Sequence, residues 1–325
     1  MANPTDTRTL GDVAATTVDA YMPGLIDNFF NSNPMWLRLA SKERVVLDGG
    51  DQIRQPILYG ALNGGSYSGS DTFDIQRVST KTLMQFPWTQ YYTNITIDGL
   101  TMLKNEGGAT KVMDIVEAEM ETARLTLSNL LGAAIFATPS TKTVKDILGL
   151  WEGCDDGNTS GCASYGGITR AANGAQGTAV TGNLNSTAQV VNLPLINSIM
   201  GTATIQPARP DLLLTTQTLW DKLWDRVQPQ QRYPQGAGFD DLAKVGYNAI
   251  NINGSAVVVD SHCTASHMYF LNTDYWKLVI HRSRDFHFAG FQKPANQDVL
   301  VGQIFWAGQL FAISPRLNAH ATALS

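Results

Sequence analysis

The strongest hydrophobic pattern of the chain lies in residues 109–137. Apolar side chains recur there at steps of three and four residues, while Asp114, Glu117 and Glu121 lie mostly off the stripe. The stripe consists of Val112, Ile115, Val116, Met120, Ala123, Leu127, Leu130, Leu131, Ala134 and Ile135. Such steps place side chains on one face of an α-helix, so the pattern predicts one amphipathic helix roughly 43 Å long.

Residues 48–84 follow a different pattern, in which polar and apolar side chains alternate. The alternation occupies residues 52–58 and 72–78, and Asn63-Gly64-Gly65-Ser66 lies between the two stretches. It predicts a long two-stranded β-hairpin with a glycine-rich tip, each arm reaching on the order of 50 Å. Because a two-stranded ribbon is only marginally stable in water, it needs a further surface. That surface is either the hairpin's own domain or another molecule.

Shorter apolar runs predict the remaining elements. Aromatic and β-branched residues predict a strand at 86–99, and apolar periodicity predicts helices at 190–204 and 217–227. Further strands are predicted at 211–216, 256–259, 268–271, 276–280 and 303–313, with loops and short strands at 138–190 and a polar loop at 228–241. Residues 1–45 are an apolar arm, too irregular for a helix prediction, and such an arm also requires a surface to lie on.

Composition indicates a folded chain whose surface is unusual. Hydrophobic residues make up 43% of the chain and charged residues 16%, against roughly 25% charged residues in an average soluble domain. The surface is therefore rich in neutral polar groups or is covered by other molecules. The 29 glycines and 13 prolines are too few in 325 residues for low-complexity disorder. The length predicts about two domains, or one large one.

Charge, cysteine count and hydropathy exclude several classes of protein. The net charge is −5 and no basic cluster is present, which argues against an electrostatic grip on nucleic acid. The odd count of three cysteines argues against a disulfide framework and favours a reducing compartment. No apolar run reaches the ~18 residues of a membrane span, and the first residues are polar. We therefore expect a cytosolic protein or a component of an assembly, without a membrane partner.

No complete motif for catalysis, phosphate binding or metal binding is found. Within residues 64–69 the position of a nucleophilic serine is taken by Tyr67, so this tract is interpreted as the hairpin tip. Gly107-Gly108 lacks the Gly-Lys-Ser/Thr ending of a phosphate loop. Cys154 and Cys162 do not have the spacing of a zinc or calcium site. We expect no catalytic residue, no cofactor and no bound metal.

One region nevertheless offers side chains for an enzyme hypothesis. His262, Cys263 and His267 are close in sequence and would suit a hydrolase. A catalytic cysteine needs a base that is oriented by a third group, and surface or core histidines are the competing interpretation. A hydrolase is therefore kept as a remote alternative.

The order of the elements resembles the major capsid protein of tailed bacteriophages, with the Hong Kong 97-type fold. The resemblance covers nearly the whole chain. Residues 48–84 look like the extended loop that reaches over a neighbouring subunit, and 109–137 look like the spine helix. Tyr165-Gly166-Gly167-Ile168-Thr169-Arg170 is similar to the glycine-glycine-isoleucine-x-arginine turn of that family. Residues 210–215, 258–261, 269–273 and 276–278 are similar to its axial-domain strands.

The resemblance implies an α+β fold with five parts. These are an N-terminal arm (1–47), an extended loop (48–85), a peripheral domain with the spine helix (86–189), an axial domain (190–290) and a return strand to the peripheral domain (291–325). It also implies contacts between subunits through apolar residues of the loop and arm. These are Ile53, Ile57, Leu58, Leu62, Tyr67, Phe73 and Ile75 in the loop, with Phe29 and Trp36 in the arm.

The function implied is that of a non-enzymatic shell protein. Many copies would form pentamers and hexamers of an icosahedral phage head, assembled in the host cytoplasm around double-stranded DNA that is enclosed without sequence-specific binding. A portal is an expected partner, and a decoration protein is a further candidate. Only about 45 residues precede the hairpin, so a scaffolding protein is expected to be separate. An encapsulin-like compartment of the same fold, holding an enzyme cargo, is the nearer alternative.

Overall fold

The computed structural model describes residues 33–104, 115–158, 161–170, 174–227 and 250–325. Phe29, residues 109–114 of the predicted long helix and the predicted loop 228–241 lie outside this part. The helices are α1 (Pro34–Lys42), α2 (Gly99–Lys104), α3 (Ile115–Phe136), α4 (Leu150–Cys154), α5 (Gly174–Ala179), α6 (Leu193–Thr202) and α7 (Gln217–Val227). None of these described helices is long and apolar enough to cross a membrane.

The strands form two larger sheets and two small ones. In chain order they are β1 (Arg44–Leu47), β2 (Gln52–Leu58), β3 (Lys81–Pro87), β4 (Thr89–Asp98), β5 (Ser164–Tyr165), β6 (Ile168–Thr169), β7 (Asn183–Asn185), β8 (Leu212–Thr215), β9 (Ile250–Ile252), β10 (Ser255–Val259), β11 (Met268–Leu271), β12 (Trp276–His281), β13 (His287–Gln292), β14 (Val299–Ala312) and β15 (Ala319–Ala321). The mixture of sheets and helices is an α+β fold, as expected from the sequence.

Strand β14 is the centre of a five-stranded sheet. On one side it pairs antiparallel with β4, from Val299 opposite Asp98 to Gly308 opposite Thr89. On its other side it pairs first with β13 and then with β12. Strand β1 lies parallel to β12 and completes the sheet. The long final strand predicted at 303–313 is thus confirmed.

The second sheet has six strands in the order β7-β15-β11-β8-β10-β9. Strand β8 is buried at every position because both faces of this sheet are covered. Leu212 and Leu214 join a core shared with α3, whereas Leu213 joins a core formed with α6 and α7. Burial on both faces explains why this strand is a continuous apolar run rather than an alternating one.

Helix α3 supplies one wall of the larger core. Leu127, Leu131 and Ile135 are fully buried against α1 and the five-stranded sheet. Leu130, which belongs to the predicted apolar stripe, is instead 46% exposed. The four-residue step from Leu127 to Leu131 already fills the positions that face the core, so Leu130 lies beside that line.

Two regular elements lie in a stretch for which the hydrophobic pattern predicts none. Helix α1 begins with Pro34, which suits a first helical turn because it needs no amide hydrogen there. Its Trp36 ring lies edge-on to Trp306 of β14, with ring centroids 6.0 Å apart. Strand β1 follows and pairs with β12. Both elements depend on partners that are distant in sequence.

The predicted hairpin exists, but its returning strand was predicted in the wrong place. Strand β2 pairs with β3, from Gln52 opposite Pro87 to Leu58 opposite Lys81. Residues 72–78, which carry the alternating pattern, belong to no strand. The strand forms at β3 because Met84 and Phe86 are buried there, whereas Phe73 and Ile75 are exposed. The paired arms are therefore about 23 Å long at about 3.3 Å per residue.

Candidate subunit-interaction loop

The segment between the two hairpin strands has no regular secondary structure. The last backbone hydrogen bond of the hairpin runs from the Tyr59 amide to the Thr80 carbonyl, at 3.0 Å. We call residues 60–79 the distal loop. It carries several large apolar side chains that are exposed to solvent.

Four large apolar side chains of the distal loop are exposed to solvent. Ile75 is 92% exposed and Leu62 75%, while Tyr67 and Phe73 are 69% and 66% exposed. None of the three buried hydrophobic clusters in the described residues includes them. An apolar surface of this kind is typical of a binding site for another protein.

Local contacts give the distal loop a definite shape. The Tyr67 and Phe73 rings meet edge-on with centroids 5.0 Å apart. The Asn63 side-chain amide donates to Asp74 Oδ2 at 2.7 Å, and the Ser68 backbone amide donates to Asp71 Oδ2 at 2.7 Å. Each of these contacts joins two residues of the loop, so together they stabilise its shape locally.

The base of the hairpin, in contrast, is anchored firmly. The Phe86 ring stacks on Phe311 of β14 at a centroid distance of 4.5 Å and lies edge-on to Tyr165. The Gln85 amide donates to the Gly166 carbonyl at 3.0 Å. The hairpin is therefore packed against the rest of the chain at its base, whereas the apolar side chains of its distal loop are exposed.

The turn between β5 and β6 makes this close approach possible. Gly166 and Gly167 have φ values of 57° and 77°, a region that residues with side chains rarely adopt. A Cβ atom on Gly166 would lie 2.8 Å from Cβ of Met84 on β3. Glycine is thus required both for the turn and for the contact with the hairpin.

Arg170, at the end of the same turn, joins the surrounding segments. Its side chain is 1% exposed, and Nη1 lies 3.4 Å from Asp155 Oδ2. The guanidinium also donates to the backbone carbonyls of Val180, Cys162 and Glu152. It lies over the Tyr165 ring at 5.1 Å. The buried Arg170 side chain therefore joins three separate segments next to the base of the hairpin, at residues 152–155, 162 and 180.

The same architecture is found in solved capsid structures. No protein-family model matches the sequence, and no curated protein sequence matches it. A chain of the cyanophage A-1(L) capsid is 15% identical, with a TM-score of 0.70 over 96% of this chain and 98% of that chain. This chain has the phage capsid fold.

Two further structures extend the comparison. A capsid chain of the native GTA particle is 10% identical, with a TM-score of 0.68 over 98% of this chain and 100% of that one. The SrpI encapsulin of Synechococcus elongatus is 6% identical, with a TM-score of 0.61 over 98% of this chain and 96% of that chain. At these identities the likeness is one of fold.

Five of the nine predicted contact residues lie on the exposed part of this capsid fold. They are Leu58, Leu62, Tyr67, Phe73 and Ile75. Ile57 is half-buried at the hairpin base, and Ile53 lies in the core there. Trp36 is 6% exposed and packs inside the subunit, and Phe29 lies outside the described residues. The proposal below therefore rests on the distal loop rather than on the arm.

The region with enzyme-like side chains lacks the geometry of a cysteine nucleophile. Cys263 Sγ lies near two backbone carbonyls, those of Thr264 and His267, rather than near an imidazole nitrogen. Burial raises the pKa of the Cys263 thiol, and the Asp260 carboxylate raises it further. An activated cysteine requires a lowered pKa. His262 instead pairs with Asn129 Oδ1 at 2.8 Å.

Thiol reactivity tests this assignment. All three cysteines are free, with Cys154 and Cys263 buried and Cys162 half-exposed. We expect a maleimide at pH 7.5 to modify Cys263 at least about tenfold more slowly in the folded chain than in urea, because a buried thiol yields little thiolate. Peptide mass spectrometry locates the label. Equal rates in the two states would restore the hydrolase hypothesis.

The described residues also offer no metal centre. They contain no group of three histidine, cysteine or acidic side chains arranged to hold an ion. Burial raises the pKa of Cys162 to about 12, which disfavours the thiolate form that a metal would need.

Proposed function

We propose that this chain is the major capsid protein of a tailed phage, a structural protein without catalytic turnover. Many copies assemble into the icosahedral shell of the head, which encloses double-stranded DNA. The observation that carries the proposal is the distal loop, whose exposed apolar side chains need a second subunit. The match to a cyanophage capsid chain over 96% of this chain supports it.

The proposed subunit has the parts of a Hong Kong 97-type protein. These are an arm (1–47), an extended loop (48–85), a peripheral domain (86–189), an axial domain (190–290) and a return strand (291–325). The sheet pairings support a refinement of these bounds. Strands β12 and β13 pair with β14 in the five-stranded sheet, which we assign to the peripheral domain. Strand β15 pairs with β11 and β7 in the six-stranded sheet, which we assign to the axial domain.

The charge of the chain agrees with a container for DNA. The net charge is −5, so the shell encloses the polyanion without binding it at every phosphate. The proposed partners are further copies of this chain in pentamers and hexamers, a portal and a separate scaffolding protein, with a decoration protein as an option. The proposed location is the virion, after assembly in the host cytoplasm.

Particle analysis of the full-length chain tests the proposal. The chain is produced in bacteria and its assemblies are measured by light scattering and negative-stain electron microscopy. We expect closed hollow particles, or pentamers and hexamers that close when a scaffolding protein is added. A chain that stays a monomer of 35.3 kDa over a wide range of concentration and ionic strength would contradict the proposal.

The likeness to the SrpI encapsulin supports a second candidate, a protein compartment for an enzyme cargo. The contents of particles isolated from the native source distinguish the two. DNA protected from nuclease inside the particle favours the phage head. A co-purifying folded protein in particles without DNA favours the compartment.

A further inference from the structure

Two histidines from distant parts of the chain meet in the six-stranded sheet. His267, just before β11, and His320, in the middle of β15, place Nδ1 and Nε2 2.8 Å apart. Only one hydrogen fits between two ring nitrogens at this distance, so one ring donates and the other accepts with an unprotonated nitrogen. The contact therefore requires at least one neutral imidazole.

The surroundings of His320 disfavour a positive charge on its ring. Its side chain is fully buried, and the Tyr269 ring stacks on it at a centroid distance of 4.1 Å. The Trp151 ring meets it edge-on at 4.6 Å. Its Nδ1 atom has no hydrogen-bond partner among the described residues. Burial, and after it the neighbouring His267, holds the pKa of His320 well below the usual value, and burial lowers the pKa of His267.

The carboxylates on the described elements packed around β15 are engaged by groups other than His320. Helix α6 and strand β7 carry no titratable side chain, and β11 carries only Tyr269. Helix α4 carries Cys154 and Glu152, and Glu152 is paired with Lys142 at 2.8 Å. The loop between β10 and β11 carries Asp260, His262 and Cys263. The Asp260 carboxylate accepts hydrogen bonds from the backbone amides of His262 and Met35. The backbone oxygen of Ser325 accepts from the Val191 amide.

We propose that the His267–His320 pair is an acid-sensitive clasp that holds the C-terminal strand β15 in its sheet. At neutral pH the shared hydrogen joins β15 to the loop before β11. When both rings take up protons, the acceptor is lost and two positive charges lie side by side in an apolar site. Strand β15 then leaves the sheet, and β7 loses its partner because it is bonded through β15. The clasp is a property of the single subunit and does not depend on assembly.

The direction of the effect follows from proton linkage. The histidines bind protons more weakly in the closed state than in the released state. In the released state the pKa of each imidazole is near the ordinary 6.5. The clasp is therefore fully effective above about pH 6.5 and weakens as the pH falls below it. The equilibrium constant for opening rises about tenfold per pH unit for each histidine that takes up a proton on release.

Hydrogen exchange of the full-length chain between pH 8 and pH 5, read by mass spectrometry, tests the clasp. Rates are corrected for the intrinsic pH dependence of amide exchange. We expect peptides covering 183–191 and 314–325 to lose protection by tenfold to a hundredfold per pH unit below pH 6.5. Peptides of β14 serve as the internal reference and are expected to keep their protection.

Glutamine variants remove the proton uptake and keep a polar side chain. The double variant His267→Gln/His320→Gln is expected to show protection that does not change with pH. If that variant does not fold, His267→Gln alone is expected to halve the slope on a logarithmic scale. The matched control is His287→Gln on the exposed face of β13, which is expected to keep the wild-type slope.

Three results would overturn the clasp. One is protection of 314–325 that stays constant from pH 8 to pH 5 in the wild-type chain. Another is a wild-type slope in the glutamine variants. The third is an equal loss of protection in β14, which would indicate general acid unfolding. Each result is read from the subunit itself, so it leaves the proposed shell function to the particle experiment.

Discussion

The variant Phe73→Ser/Ile75→Ser is expected to give a folded subunit that forms no closed particles at concentrations where the wild-type chain assembles. Both side chains are exposed in the distal loop and make no contribution to the buried core. Substitutions at such surface positions usually change the free energy of unfolding by less than about 0.5 kcal/mol. The loss would therefore appear in assembly and not in folding.

The expected size of the assembly defect follows from the apolar area. Burying a Phe or Ile side chain stabilises a complex by about 1.5–3 kcal/mol, so two such side chains contribute on the order of 3–6 kcal/mol to each loop contact. Every 1.4 kcal/mol is a tenfold change in affinity, which gives roughly 100-fold to 10,000-fold weaker contacts. In the proposed shell every subunit carries a loop, so the weakening is repeated at each loop contact.

Light scattering and negative-stain microscopy measure the outcome, and thermal unfolding checks the fold. The matched control is Phe73→Leu/Ile75→Leu, which keeps apolar side chains at the same positions and is expected to form particles. Wild-type particle yield from the serine variant would show that the loop does not carry the subunit contact. An equal loss of particles in both variants would point to the shape of the loop instead of its apolar surface.

Substitution of Arg170 by Met is expected to lower the free energy of unfolding by about 3–5 kcal/mol, the range measured when one partner of a buried ion pair is removed. The reason is the loss of the cation beside Asp155, a residue that is itself fully buried. Three backbone carbonyls lose their donor at the same time. Met fills a similar volume, so the cost is mainly electrostatic.

Chemical denaturation of the unassembled subunit gives this difference. Arg124→Met is the matched control, because Arg124 is 57% exposed and pairs with Glu121 across one turn of α3 at 2.7 Å. Exposed pairs of this kind contribute about 0–1 kcal/mol. If the Arg170 variant loses no more than the Arg124 variant, Arg170 does not join the segments at the base of the hairpin. Arg170→Lys is expected to fall between the two, since an ammonium keeps the charge but not the spread of donors.

Several elements were predictable because their pattern is local. The four-residue steps of Leu127, Leu131 and Ile135 mark α3, and the apolar run at Leu212–Thr215 marks β8. In both cases a few neighbouring residues carry the whole pattern. The exposed side chains of the distal loop were predicted as contact residues in a different way, from the resemblance of residues 48–84 to the extended loop of capsid proteins.

The returning strand of the hairpin shows where local patterns fail. Residues 72–78 alternate as a strand does, yet β3 lies at Lys81–Pro87. The choice depends on Phe86, which finds Phe311 and Tyr165 as partners from distant parts of the chain. Helix α1 and strands β13 and β15 were missed for the same reason. Each is short and is stabilised by packing against β14 or β11 rather than by its own propensity.

The sequence alone therefore determined the long helix, the first strand of the hairpin, a composition low in charged residues and the apolar residues of the loop. Only the tertiary structure decided which of the predicted contact residues are exposed on the surface of the subunit. Ile53 and Trp36 have the same apolar character as Phe73, but they are buried in their own subunit. Burial is set by which segments meet, and Arg170, like the His267–His320 pair, acts through partners far away in sequence. Local composition does not reveal such tertiary contacts, because they depend on the path of the whole chain.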